Sequence, residues 1–264
     1  MTDRSKSLDL YQKNLRTVPE SIWERTELQS LNLAENGLTT VSEKLGSLVN
    51  LTMLDLGHNR LASLPESIGK LKALRFLYLS DNQLSSFPST LWELGSLVYL
   101  GLTDNGLASL PPAIGHLSNL IELRLYNNQL ASLPATIGQL SQLRELHVMR
   151  NRLTALPESI GGQTELRKLI LEGNRIESLP ESIGGLKRLT DLDLRNNRMR
   201  SLPDSIGQLK QLRFLDLRAN QLTALPKELL SLQRLEKLDL RWNHSLVVPK
   251  WIHDLEQRGT LVYI

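Results

Sequence analysis

"LRFLYLSDNQL" (residues 74–84) is the stretch that decides the fold. Leu77 and Leu79 alternate with Phe76, Tyr78 and Ser80, and Asn82 follows two residues later. Alternation of this kind marks a strand with one face buried. The spelling returns as "LTDLDLRNNRM" at 189–199 and recurs every 23 residues along the chain. Asn36, Asn59, Asn82, Asn105, Asn128, Asn151, Asn174, Asn197, Asn220 and Asn243 keep that spacing without a slip. Such a period builds a solenoid, because each coil is too thin to bury its own apolar side and must stack on its neighbours. One strand per coil, always in the same direction, gives a parallel sheet whose other face is open.

Counted as positions 1 to 23, the repeats start at Leu28, Leu51, Leu74, Leu97, Leu120, Leu143, Leu166, Leu189, Leu212 and Leu235. Position 9 is the asparagine. A carboxamide has two N–H donors and an oxygen with two lone pairs, and burial is tolerated only when these are bonded. Backbone groups of adjacent coils recur at matching spacing, so a continuous asparagine ladder is expected. Position 15 is proline in ten of eleven units, from Pro19 to Pro249, with Ser42 the exception. Proline suits a helix start, and acidic residues follow it in "LPESIG" at 64–69, 156–161 and 179–184. Gly69, Gly115, Gly138, Gly161, Gly184 and Gly207 hold position 19. There glycine is expected to turn left-handed and end a short helix.

The ends depart from the pattern, as terminal repeats do. The first unit, 5–27, has Ser5 at position 1 and Lys13 at the asparagine position. A lysine there can reach water only if nothing stacks beyond it. At the other end "VPKWIHDLEQRG" reads as a longer amphipathic helix and "TLVYI" as a last edge strand. Trp251, Ile252 and Leu255 are expected to cover the final coil. The expected organisation is one domain over 1–264, with a capping turn at 1–27, the array at 28–244 and a second cap at 245–264. Met1 and the two caps argue that the chain is complete.

Composition narrows the function. Hydrophobic residues make up 41%, mostly leucine at repeat positions. That is ample for a continuous core at about 1.5–3 kcal/mol per buried leucine. A net charge of +3, from 31 basic and 28 acidic residues, is too balanced to imply nucleic acid or anionic membrane. The chain has no cysteine, which excludes disulfide caps, thiolate metal sites and a cysteine nucleophile. Its start, "MTDRSKSLDLYQKNL", has no apolar core of signal-peptide length, and no run approaches a membrane span. A cytoplasmic location is expected, although leaderless secretion into a host cell would leave no mark in the sequence.

The unit "LPxSIGxLxxLxxLxLxxNxLxx" resembles the leucine-rich repeat family. Within that family it is similar to the 23-residue intracellular class of Ras-suppressor-like and bacterial repeat proteins, over essentially the whole chain. The resemblance implies an α/β fold: a right-handed horseshoe or arc of about eleven turns. A parallel β-sheet would form its concave face and short helical turns its convex face. It also implies protein–protein interaction, scaffolding, or substrate selection for a ligase domain in effectors.

Function must lie where the repeat is silent, at positions 3, 5, 7 and 8 of the strand face. Position 5 reads Asp9, Asn32, Asp55, Tyr78, Gly101, Arg124, His147, Ile170, Asp193, Asp216, Asp239. Position 7 reads Tyr11, Ala34, Gly57, Ser80, Thr103, Tyr126, Met149, Glu172, Arg195, Arg218, Arg241. The last three coils repeat Asp and Arg, which reads as a solvated charge lattice or an electrostatic docking strip. In the middle coils Phe76, Tyr78, Tyr99, Arg124, Tyr126, His147, Met149 and Ile170 gather, and Gly101 leaves a gap among them. Aromatics, Met and Arg are enriched in interface hot spots, so these eight are the candidate protein-binding residues. Lateral packing between strands is the competing explanation.

His58, His116, His147, His244 and His253 show no metal-ligand spacing, and no Ser/His/Asp set converges. Neither a catalytic centre, a metal nor a cofactor is expected. The expected role is a non-catalytic protein-binding module or scaffold, monomeric, with a partner protein and with neither nucleic acid nor membrane. The alternatives are a substrate-recognition module of a larger enzyme or secreted effector system, and a self-associating structural protein.

Overall fold

Three extended residues per coil, positions 3 to 5, form the strands. The computed structural model describes residues 6–264, which divide into two compact units. The first comprises the chain through Ala108 together with Ala113–Asn128, and the second comprises Ser109–Pro112 and Gln129–Ile264. The first unit holds β1 (Ser7–Asp9), β2 (Ser30–Asn32), β3 (Met53–Asp55), β4 (Phe76–Tyr78), β5 (Tyr99–Gly101) and β6 (Glu122–Arg124), parallel and in chain order. The second holds β7 (Glu145–His147), β8 (Lys168–Ile170), β9 (Asp191–Asp193), β10 (Phe214–Asp216), β11 (Lys237–Asp239) and β12 (Leu261–Tyr263), arranged likewise. This is the expected α/β solenoid of about eleven coils.

The constant period sets the register. Leu54 lies between Leu31 and Leu77, and Leu215 between Leu192 and Leu238. A slip of one residue would turn every leucine outward. Leu31, Leu54, Leu77, Leu100 and Leu123 are fully buried, while positions 3 and 5 on most strands are half-exposed on the other face.

The rest of each repeat carries a five-residue 3-10 turn, such as Glu66–Lys70 or Glu181–Gly185. Proline stands just before it in an extended conformation, and its carbonyl accepts the first bond, from Ile68 N–H to Pro65 O at 3.1 Å. Where proline is missing, the Ser42 hydroxyl accepts from Lys44 N–H at 3.2 Å.

The glycines of position 19 correct the sequence reading. Among the described residues the glycines with positive φ are Gly173 and Gly259, so Gly69, Gly115, Gly138, Gly161, Gly184 and Gly207 are not left-handed caps. Close stacking is the reason for glycine at the five of these whose surroundings follow. A Cβ would fall 2.5 Å from Thr90 Cβ at Gly69, 2.2 Å from Ser159 O at Gly138 and 2.3 Å from Ser182 O at Gly161. It would fall 2.8 Å from Gln208 Oε1 at Gly184 and 2.6 Å from Glu228 O at Gly207. The 3-10 turns approach more closely than a methyl group allows.

The left-handed residue sits instead at position 8. Glu35, His58, Asp81, Asp104, Asn127, Arg150, Asn196, Ala219 and Trp242 have φ between 51° and 62°, and Gly173 has 69°. This kink turns the chain inward so that the next residue, the asparagine, is buried. A left-handed non-glycine residue costs about 1–2 kcal/mol unless its side chain helps. Ala219 brings no such help, so Ala219→Gly is expected to stabilise the protein by about 1 kcal/mol in urea denaturation.

The asparagine amides are bonded. Asn59 Oδ1 accepts from Leu38 N–H at 3.1 Å, and Nδ2 donates to Leu33 O, Leu56 O and Gly57 O, each at 3.0 Å. Asn220 repeats the set in the second unit, with Met199 N–H at 2.9 Å and Leu194 O, Leu217 O and Arg218 O at 2.9, 3.0 and 3.2 Å. The partners belong both to the asparagine's own coil and to the preceding one.

At the start, Lys13 is exposed; the expectation at Ser5 lies outside the described residues. At the end, helix α1 (Ile252–Gln257) buries Ile252 and Leu255, leaves Trp251 half-buried, and leads into β12. Among the described residues no helix is long and apolar enough to cross a membrane.

Candidate functional site

Column 5 has a local structural use. The side chains of Asp9, Asn32, Asp55, Asp193 and Asp216 accept the backbone N–H two residues on, at 3.0, 3.0, 2.9, 3.1 and 3.2 Å. A short carboxylate or amide closes the strand end in this way. Tyr78, Gly101, Arg124, His147 and Ile170 break that rule, so strand closure does not account for them.

Five candidates lie on the first unit. Phe76 pairs in register with Tyr99, and Tyr78 with Gly101, which pairs with Arg124. The Tyr78 and Tyr99 rings lie 4.7 Å apart at 34°, and the Arg124 guanidinium sits 5.6 Å from the Tyr99 centroid. Glu122 pins Arg124 through Nε at 2.6 Å. The gap expected at Gly101 is filled: a Cβ there would lie 3.0 Å from Tyr99 Oη and 3.1 Å from its Cε1. Burial pushes the Tyr99 phenol up to about 12, and burial followed by the Asp55 charge raises Tyr78. Both phenols therefore stay protonated donors at neutral pH. Tyr126, at position 7, is half-buried.

Three candidates lie on the second unit. His147 Nε2 is 3.1 Å from Glu145 Oε2, and Glu145 also pairs with Lys168 at 3.0 Å. His147 and Ile170 are register partners, and Met149 and Ile170 are half-buried. All eight candidates are thus half-buried rather than fully exposed.

A feature that the column reading missed lies on the same unit. Phe214 is 37% exposed between Asp191 and Lys237, beside a cavity of about 220 Å3 that Ile170, Asp193 and Asp216 also line. Reading column 3 as closely as columns 5 and 7 would have exposed it, since Phe76, Tyr99 and Phe214 are its aromatic members.

The Asp/Arg coils are largely self-neutralised. Asp193 pairs with Arg195 at 3.1 Å, Asp216 holds Arg218 through both carboxylate oxygens, and Asp239 bonds Arg241 at 2.9 and 2.7 Å. This geometry favours the charge lattice over the docking strip. Asp239 is fully buried; burial alone would raise its carboxyl, but Arg241 and Arg218 hold it below the usual range.

Asp193 behaves oppositely: burial pushes its carboxyl up to about 6, against the pull of the Arg195 N–H and charge. An unfolded aspartate titrates near ~3.9. The folded state therefore binds this proton more tightly, and ionisation of the group costs stability above about pH 6. As pH falls from about 7 to about 4.5 that cost is relieved. Relative to Asp193→Asn, the wild type is expected to gain about 2 kcal/mol over this window in denaturant titrations.

These features define a class: a repeat protein whose coils fix the scaffold and whose strands leave one face open. The family described as a leucine-rich repeat region matches residues 88–171 and 158–257, and that described as a leucine rich repeat matches 6–61, 26–84 and 49–107. The chain belongs to the leucine-rich repeat family, whose fold is typically a protein-interaction module and generally a non-enzymatic scaffold.

A search of curated proteins gave no match. Among solved structures, a leucine-rich repeat protein of Leptospira interrogans matches with a TM-score of 0.70 at 26% identity, over 98% of this chain and 95% of that one. The plant peptide hormone receptor RGFR1, solved in complex with RGF2, matches with a TM-score of 0.73 at 28% identity, over 90% of this chain and 44% of the receptor. InlJ of Listeria monocytogenes shares the fold with a TM-score of 0.80 at 23% identity, over 95% and 56% of the two chains. This chain therefore spans less than half the receptor's length.

Proposed function

We propose that the chain is a non-catalytic protein-recognition module or scaffold that takes a partner protein on the open face of its strands. Phe76, Tyr78, Tyr99, Arg124 and Tyr126 are the contacts on the first unit, and His147, Met149 and Ile170 those on the second. The observation that carries this reading is the break in column 5. There, the strand-closing carboxylates give way to residues that do not close the strand end. The likeness to a receptor solved with a second molecule bound supports the same use of the fold.

Tyr99 fills the space over Gly101, so it is a poor probe of binding alone. Arg124→Ala combined with Tyr126→Ala is the better variant. It is expected to keep the wild-type unfolding midpoint and to lose partners captured from lysate and identified by mass spectrometry. Undiminished capture would move the site off these residues.

A second reading, self-association, has its own observation. Trp242, Val247, Leu261, Tyr263 and Ile264 are 40–75% exposed at the end of the chain, and among the described residues β12 is paired only by β11. Sedimentation at several concentrations separates the two: the first reading expects a monomer, and a dimer abolished by Leu261→Lys would favour the second. One domain over 1–264 and a cytoplasmic setting belong to the proposal as well. A single unfolding transition and cell fractionation test them. We also read the buried asparagines as the ladder that holds the coils in register.

A further inference from the structure

The cavity beside Phe214 has the makings of a side-chain site. At about 220 Å3 it is smaller than the ~300–1,000 Å3 typical of small-molecule pockets, and so is sized for one long side chain. Phe214 and Ile170 supply apolar wall, and the carboxylates of Asp191, Asp193 and Asp216 supply negative charge. Asp216 is spent on Arg218, and Asp193 is paired with Arg195 at 3.1 Å. Asp191 carries no ion pair among the described residues: its carboxylate accepts from the Thr190 hydroxyl at 2.5 Å, and the charge of Arg213, which Glu236 holds, acts on it only at longer range. Lys237 also lines the cavity, yet its ammonium is drawn off toward Asp239 at 3.4 Å and the Tyr263 ring at 5.2 Å. The Phe214 ring already accepts one guanidinium, that of Arg213, at 5.2 Å from its centroid, with Glu236 holding Arg213 in place.

We propose that this cavity takes a lysine or arginine side chain of a partner peptide, with the aliphatic stem against Phe214 and Ile170 and the cationic head between Asp191 and Asp193. The proposal rests on the reading that the open strand face is the binding surface, and it adds the chemistry that one part of that face selects. An exposed aromatic face beside an unneutralised carboxylate favours a cation with an apolar stem over either a bare ion or a neutral alkyl chain. Entry of a positive charge also relieves Asp193, whose burial opposes ionisation.

The test uses Nα-acetyl-lysine methylamide as the probe and the norleucine analogue as control, titrated into isotope-labelled full-length protein and followed by amide chemical shifts. Saturable shifts confined to the amides of 191–193 and 214–216 are expected. Binding should weaken about tenfold for norleucine and about fivefold or more in Asp191→Asn, which matches the loss of one charge pair. The Asp193 carboxyl should titrate at lower pH with the lysine probe present. Three results would overturn the proposal: shifts scattered over acidic groups generally, equal shifts with norleucine, or indifference to Asp191→Asn. Loss of partner capture in the Arg124/Tyr126 variant alongside a negative lysine titration would remove the cavity and leave the broader binding role. A positive titration with capture unaffected by Arg124/Tyr126 would do the reverse for those two contacts.

Discussion

Gly161→Ala is expected to destabilise the protein by about 3 kcal/mol, the upper end of ordinary overpacking. The added methyl would lie 2.3 Å from the carbonyl oxygen of Ser182 and 2.9 Å from its Cβ. The obstacle is backbone, which cannot swing aside as a side-chain tip can. Ser182 belongs to the 3-10 turn Glu181–Gly185, and that turn is held from its other end too: a Cβ at Gly185 would fall 2.4 Å from Gly161 O. Relief therefore requires the two coils to separate, which loosens the buried Ile160 and Ile183 beneath them. Gly95→Ala is the control, because nothing lies within 4 Å of its Cβ position; it should stay within about 0.5 kcal/mol of wild type. Urea midpoints at unchanged slope report the difference. Equal, small effects at Gly161 and Gly95 would mean that the coils have slack and that the glycine column needs another explanation.

That column shows what a single sequence reveals and what it withholds. The recurrence of glycine was visible; its cause was not. Two physical demands select glycine, a left-handed φ and the absence of a Cβ, and the letters cannot separate them. The left-handed demand falls at position 8, which holds Glu35, His58, Arg150 and Trp242 and carries no glycine signature except Gly173. Strands were easier. Their period, the leucine alternation and the unshifted register all follow from one constraint, burial of Leu31, Leu54, Leu77 and their successors on one side.

The candidate site was legible only as a departure from that constraint. Column 5 stood out because aspartate gives way to Tyr78, Arg124 and His147. Periodicity assigns a side chain to a face but does not say whether it lies down on its neighbour. The Tyr99 ring leans over Gly101 and stacks on Tyr78, a rotamer choice outside the reach of the pattern. Phe214 escaped notice because its near neighbours in column 3, Lys168, Asp191 and Lys237, are charged, while the other aromatics of that column, Phe76 and Tyr99, belong to the first unit. Only with the strands paired does it stand between Asp191 and Lys237.

The largest loss is expected from Asn220→Ala, about 3–4 kcal/mol. Alanine removes four bonds at once, from Met199 N–H and to Leu194, Leu217 and Arg218 carbonyls. The residue is only 7% exposed, so water cannot replace them freely. A buried N–H left without an acceptor costs about 1–3 kcal/mol, and the stranded carbonyls and the small void add to it. Two of the lost partners, Met199 and Leu194, lie in the coil before, so the damage is to the join between coils and not to one coil alone. Amide exchange at Met199 should therefore quicken before global unfolding does. The adjacent exposed Gln221 provides the comparison, since Gln221→Ala removes a side chain of similar polarity from the surface. Asn220→Asp separates shape from hydrogen bonding: it keeps the volume and an acceptor for Met199, but turns a carboxylate against three carbonyl oxygens. It should cost at least as much as alanine at neutral pH. If Asn220→Ala came within about 1 kcal/mol of Gln221→Ala with Met199 exchange unchanged, the amides would be passengers, and the coils would be held by their leucines alone.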